Sequence, residues 1–400
     1  NQSAAINGTV SGPSSLWATT SGTNGYLTMD PAAPAIPTLV VYASLGATFQ
    51  PYGAVRVNTL YLSAGILKVG YYSTDTLEVA GTAYLGSTNA ATLSAGGGQL
   101  IVAGDVIVTN VDVSDPPTIR CRGNWTSGSD FIAGQGLVAF DGQTQQTLTA
   151  TASRFFQLWI APLASVNVDA SCDVDQLLTI DGYLSMEADI DVHGGLAVTG
   201  FVDQDVPGVG FAPIYMHGSA IGSVYGAGYI EYLVVAKSPG AACFIYDDTL
   251  IDHLKLTSGV LSMAPLASDG DTDVQLSTEF AGGEFLGGIL DCAGDVTWSG
   301  GLMTGYTVIH CGGNWSADAT IGNTLGVVFF DGAGPQEIRG YANNTSVTLG
   351  PIYVKIGSQV SFPANLDITS SYLHVQPGAT WTVGPNRVVS HQIPYITIDG

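Results

Sequence analysis

Positive charge is what this chain has least of: 10 Lys and Arg stand against 33 Asp and Glu in 400 residues, a formal net charge of −23. A surface this acidic repels phosphate backbones and anionic lipid, which argues against nucleic acid and acidic membrane faces as partners and against polyanionic substrates such as pectate or sulfated glycans. Cysteine is scarce too. Cys121, Cys172, Cys243, Cys292 and Cys311 are an odd number with no CxxC pair, so they form neither a dense disulfide framework nor a zinc ligand set. They read as buried apolar filler, with a single disulfide as the alternative. No apolar run approaches the length of about 18 residues that a membrane-spanning helix needs. An initiator Met and a charged, then apolar leader are both missing before Asn1, as expected of a secreted chain whose signal peptide has been removed. Amphipathic helical periodicity is absent almost everywhere.

What recurs instead is a short triplet of apolar, any, apolar residues, followed by a few Gly, Ser, Asn or Asp. Leu39 to Val41, Val138 to Phe140, Leu158 to Ile160 and Leu178 to Ile180 are examples. Strand side chains alternate with period two, so the outer residues of each triplet share a face, and the intervening residues are those that tolerate tight turns. The chain also repeats itself. Residues 102–148 lie on 292–338 without a gap at a shift of 190, with 15 identities in 47 columns. A shift of 194 lays Leu39, Val40, Val41, Gly46, Leu60 and Leu62 on Leu233, Val234, Val235, Gly240, Leu254 and Leu256. A weaker shift of 95 places Cys121 on Met216 and hints that each half is itself doubled.

Triplets every six to twelve residues, with no polar linker at the repeat boundaries, point to an all-β parallel β-helix (β-solenoid) with an internal duplication. Tandem β-sandwich domains are the alternative, but their strands run longer and each domain would bring its own linker. The expected organisation is an N-terminal variant or capping segment over 1–38, carrying Pro31, Pro34 and Pro37, then a first solenoid half over 39–212 and a second over 213–400, as one continuous rod.

Two blocks carry a family resemblance. Gly123, Asn124, Trp125 and Thr126 are followed by Val138, Phe140, Asp141, Gly142, Gln146 and Leu148. Gly313, Asn314, Trp315 and Ser316 are followed by Val328, Phe330, Asp331, Gly332, Gln336 and Ile338. In these stretches the sequence resembles repeats of large secreted bacterial surface proteins built on right-handed parallel β-helices. The resemblance covers about a third of the chain. It implies a fold and a place outside the cell; such proteins serve as adhesins, coats and fibres, and the resemblance brings no catalytic residues.

The candidate sites are few. Trp125 and Trp315 follow Gly and Asn, where an exposed indole would make a glycan-stacking platform and a buried one would cover core side chains. Asp269, Asp271 and Asp273 alternate, a pattern that places oxygens around calcium, although the EF-hand spacing is not met and an acidic turn explains them as well. For catalysis the polysaccharide-cleaving β-helices need clustered carboxylates with a base, whereas here basic residues are single except for Arg120 and Arg122, and the six histidines show no metal-binding spacing. No catalytic residue and no cofactor other than calcium is expected. The leading expectation is a non-enzymatic extracellular structural protein, a subunit of a filament, fibre or coat that polymerises with itself through solenoid ends or strand addition. An adhesin or glycan-binding module, for surface glycans or in a phage fibre, is the alternative. A polysaccharide hydrolase or lyase ranks third.

Overall fold

The computed structural model describes residues 2–6, 15–19, 24–44, 46–87, 91–94, 96–113, 118–206, 210–246, 249–263, 272–317, 326–343, 345–363, 366–383 and 395–399. The protein is an all-β parallel β-solenoid of about 16 turns, with no α-helix among the described residues. The apolar triplets are the reason. A three- or four-residue strand satisfies its backbone groups only by pairing with the strands one turn before and one turn after, and its inward side chains then stack on their own kind.

Two compact units make up the chain: Asn1–Val192 with Gly200–Ala212, and His193–Thr199 with Pro213–Gly400. In the first unit, parallel register stacks Val55, Leu77, Leu100, Ile119, Val138, Leu158 and Leu178 in one inward column. Each member of that column is at most 1% exposed. Burying an aliphatic side chain this completely contributes about 1.5–3 kcal/mol before conformational entropy is charged, so every turn adds its own increment. In the second unit Ile251, Val274, Cys292, Cys311, Phe330, Val354 and Val375 form the matching kind of column.

All five cysteines are free and buried, Cys292 and Cys311 within the second column. Burial pushes the thiols of Cys121, Cys172 and Cys243 up to about 12, which leaves them protonated and unreactive at neutral pH. Among the buried polar side chains is a lysine. Lys237, fully buried in the second unit, donates its Nζ protons to the carbonyls of His193 and His217, at one corner of two earlier turns. Gly222 leaves room for it, since a Cβ there would lie 2.9 Å from Nζ. Desolvation holds the Lys237 ammonium below the usual lysine range, against a smaller opposing influence of the Cys243 thiol.

Candidate functional site: two hollows at the repeated motif

The repeated motif is a corner brace. Gln146 is fully buried; its Oε1 accepts the Gly142 N–H at 2.9 Å, and its Nε2 donates to the carbonyls of Cys121 and Gly123 at 3.1 and 2.6 Å. Gln336 repeats every bond, to the Gly332 N–H at 3.2 Å and to the carbonyls of Cys311 and Gly313 at 2.7 and 2.8 Å. A Cβ on Gly142 or Gly332 would lie 2.5 or 2.0 Å from a carbonyl of the turn before, so only glycine fits this close approach. The asparagine works one turn in each direction. Asn124 N–H donates to Asp105 Oδ1 at 2.8 Å while its own Oδ1 accepts the Thr147 N–H at 2.8 Å, and Asn314 does the same with Asp295 and Glu337. Each side chain fills donors and acceptors that a turn leaves unpaired.

Trp125 and Trp315 lie inside the solenoid with no exposed surface. Trp125 packs with ring centroids 5.3 Å from Phe131 and 5.8 Å from Phe155, and Trp315 stands 6.4 Å from Phe330. A sugar ring finds no indole face at either position, because core side chains already cover both. Trp125 Nε1 donates to Ser127 Oγ at 2.8 Å, whereas Trp315 Nε1 is buried without a partner among the described residues; the residue equivalent to Ser127 is Ala317. Of the calcium candidates, Asp269 and Asp271 lie outside the described residues, and Asp273 is an exposed residue of the strand Thr272–Phe280. No cluster of three or more His, Cys, Asp or Glu suited to a metal ion occurs among the described residues.

Asp273 does take part in something else. It is in register with Asp291, which is in register with His310, so three titratable side chains point outward from successive turns about 4.8 Å apart. His310 Nδ1 bonds Asp331 Oδ2 at 2.7 Å and lies 3.7 Å from Asp291 Oδ1. Together they line a hollow of about 370 Å³. On the next two turns the outward column continues as Phe329 and Tyr353, stacked at 4.8 Å on His310 and on each other, with Lys355 Nζ 4.8 Å from the Phe329 ring. Faces pressed together in this way leave mainly ring edges to solvent.

A second hollow, of about 320 Å³, overlaps the equivalent position in the first unit, where Ile101, Ala103 and Arg122 correspond to Asp291, Ala293 and Gly312, and extends over earlier turns to Arg56. Register puts Glu78 beside Ile101 and Ile101 beside Arg120, where the other unit has Asp273, Asp291 and His310. Its floor is apolar, with Val57, Val79 and Ile101, and its walls carry Arg56 and Arg122. Arg120 is bound to Asp141, as His310 is bound to Asp331. Arg122 Nε reaches Asp141 Oδ1 at 3.3 Å, and Arg56 donates to the carbonyls of Pro31 and Ala33. One fold position thus carries a cationic hollow in one unit and an acidic hollow in the other.

The largest of the hollows described here, about 750 Å³ in the first unit, has Tyr61 and Tyr84 as a wall, their rings stacked at 4.6 Å, with Ile107, Ser87, Asn110 and Asp130 around it. Neither this tyrosine pair nor the pairing of His310 with Asp331 is evident from single-residue motifs. The shift of 190 that sets Arg120 on His310 and Asp141 on Asp331 is the signal that finds the second; for the first, only register brings residues 23 apart together.

No protein-family model, curated protein or solved structure matches this chain. No helix among the described residues is long and apolar enough to cross a membrane.

Proposed function

We propose that the chain is a non-enzymatic structural protein, a subunit of an extracellular filament, fibre or coat that associates with itself. The observation that carries this reading is the corner brace: the Cys, Asn, Trp and Gln that recur between the halves, with Asp105 and Asp295, are spent on backbone bonds and core packing in both copies. A duplicated catalytic motif would instead keep its chemistry facing solvent. Negative-stain microscopy of concentrated protein, with and without calcium, tests the reading: filaments or sheets are expected, and discrete monomers in every condition would overturn it.

A second reading, a glycan-binding surface module, is favoured by the tyrosine-walled hollow, which combines apolar lining with Asn110, Ser87 and Asp130 as hydrogen-bonding groups. Binding to an array of neutral glycans that is lost in Tyr61→Ala and Tyr84→Ala would support it; an array without binding would remove it.

A further inference from the structure

Two copies of a chain with net charge −23 repel one another, so a contact between them has to be built where positive charge is concentrated. Several of the described cations stand singly and are already engaged. Lys237 is buried, Lys255 is held by Glu279 at 2.8 Å, Arg154 by Asp175 at 2.8 Å, and Arg339 by Glu337 at 2.6 Å. Half of the six arginines gather in the first unit: Arg56 and Arg122 line its hollow, and Arg120 stands next to it in register with Ile101, with Arg56 tied to the Pro31 and Ala33 carbonyls and Arg120 to Asp141. Arg122 is 46% exposed in its side chain, its single bond is the long one to Asp141, and its Nη groups have no partner among the described residues. The apolar floor of Val57, Val79 and Ile101 keeps solvent screening low for a charge brought against it.

Resting on the structural reading above, we propose that this cationic hollow receives the acidic hollow of a second copy, Asp273, Asp291 and Asp331 of its second unit. Charge complementarity names the occupant. Asp273 and Asp291 stand on successive turns and Asp331 two turns beyond Asp291, past the turn of His310, while Arg56 and Arg122 are likewise three turns apart, so the two surfaces span the same number of turns. His310 and Lys355 moderate the acidic side, and Glu78 and Asp141 moderate the cationic side. The contact is heterologous: each copy offers one surface of each kind, so it propagates into an open assembly.

Charge reversal tests it. Arg56→Glu with Arg122→Glu makes the first hollow acidic; Asp273→Lys with Asp291→Lys makes the second one basic. Arg120 and Asp331 stay untouched because each is tied to a neighbouring side chain, Asp141 and His310. Circular dichroism and thermal melting establish that each variant folds, and Arg122→Glu alone serves if Arg56 proves necessary for the segment at Pro31. By sedimentation velocity at low ionic strength, wild type is expected to associate and to dissociate as salt rises. Each reversal variant alone is expected to associate at least about tenfold more weakly, and an equimolar mixture of the two is expected to recover wild-type association, since each then meets its complement. Variants that associate as wild type does, or a mixture that stays dissociated, would overturn this contact while leaving the structural reading intact. Wild type that remains monomeric here and in micrographs would overturn both.

Discussion

The two copies of the corner, at Cys121–Gln146 and Cys311–Gln336, agree in almost every bond made inward and differ at most positions facing outward. Gln, Asn, Cys and the two close-packed glycines of each copy make the same contacts. On the outward side, Arg120 corresponds to His310, Ile101 to Asp291 and Arg122 to Gly312. Bond accounting explains the difference. A buried N–H or carbonyl that loses its partner costs about 1–3 kcal/mol, whereas an outward side chain on a β surface changes stability little. The interior is therefore held, while the exterior was free to take opposite charge in the two halves.

The largest effect is expected where the two copies are most alike. Gln146→Leu removes three hydrogen bonds: the Gly142 N–H loses its Gln146 partner, the Cys121 carbonyl keeps only the Asp141 N–H and the Gly123 carbonyl only the Cys121 thiol, and Gln336→Leu does the same at Gly332, Cys311 and Gly313. Each is expected to lower stability by about 3 kcal/mol in urea unfolding, with the two values within about 0.5 kcal/mol of one another. A marked inequality would mean that the bonds are alike in geometry but not in energy.

The tryptophans sharpen the comparison at a place where the copies part. Ser127→Ala removes the partner of Trp125 Nε1 and is expected to cost about 1–2 kcal/mol, while Ala317→Ser supplies the missing partner to Trp315 and is expected to stabilise by up to about 1 kcal/mol. A destabilised Ala317→Ser would show that the buried space there does not admit the hydroxyl.

Lys237 is a buried cation without a counterpart in the first half, since the shift of 194 sets it on Ala43. Its folded-state pKa lies below the ordinary 10.5, so between the two values the unfolded chain holds more protons than the folded one. Stability therefore gains from this group as pH rises through that window, and the gain is absent at pH below the folded value. Lys237→Met is expected to lack this alkaline rise in a series of melts, with little change in its neutral-pH profile shape. An unchanged alkaline rise would assign it to another group.

Much of the fold was legible in the sequence, because its period is carried by apolar triplets such as Val138 to Phe140 and by a duplication that needs no gap. The hollows were not. Asp273, Asp291 and His310 are 18 and 19 residues apart, and only the register of successive turns makes them neighbours. Trp125 and Trp315 left two readings open because a recurring indole after Gly and Asn suits an exposed platform and a core filler alike. Packing against Phe131 and Phe155, or against Phe330, decides for the core.

The account's central claim is that the repeated motif is a brace and not a binding site, and hydrogen exchange followed by mass spectrometry tests it most directly. Peptides covering 138–148 and 328–338 are expected to exchange slowly and alike in wild type, and Gln146→Leu is expected to strip protection from the first while sparing the second. Fast exchange of both peptides in wild type, or protection unchanged by Gln146→Leu, would contradict the claim.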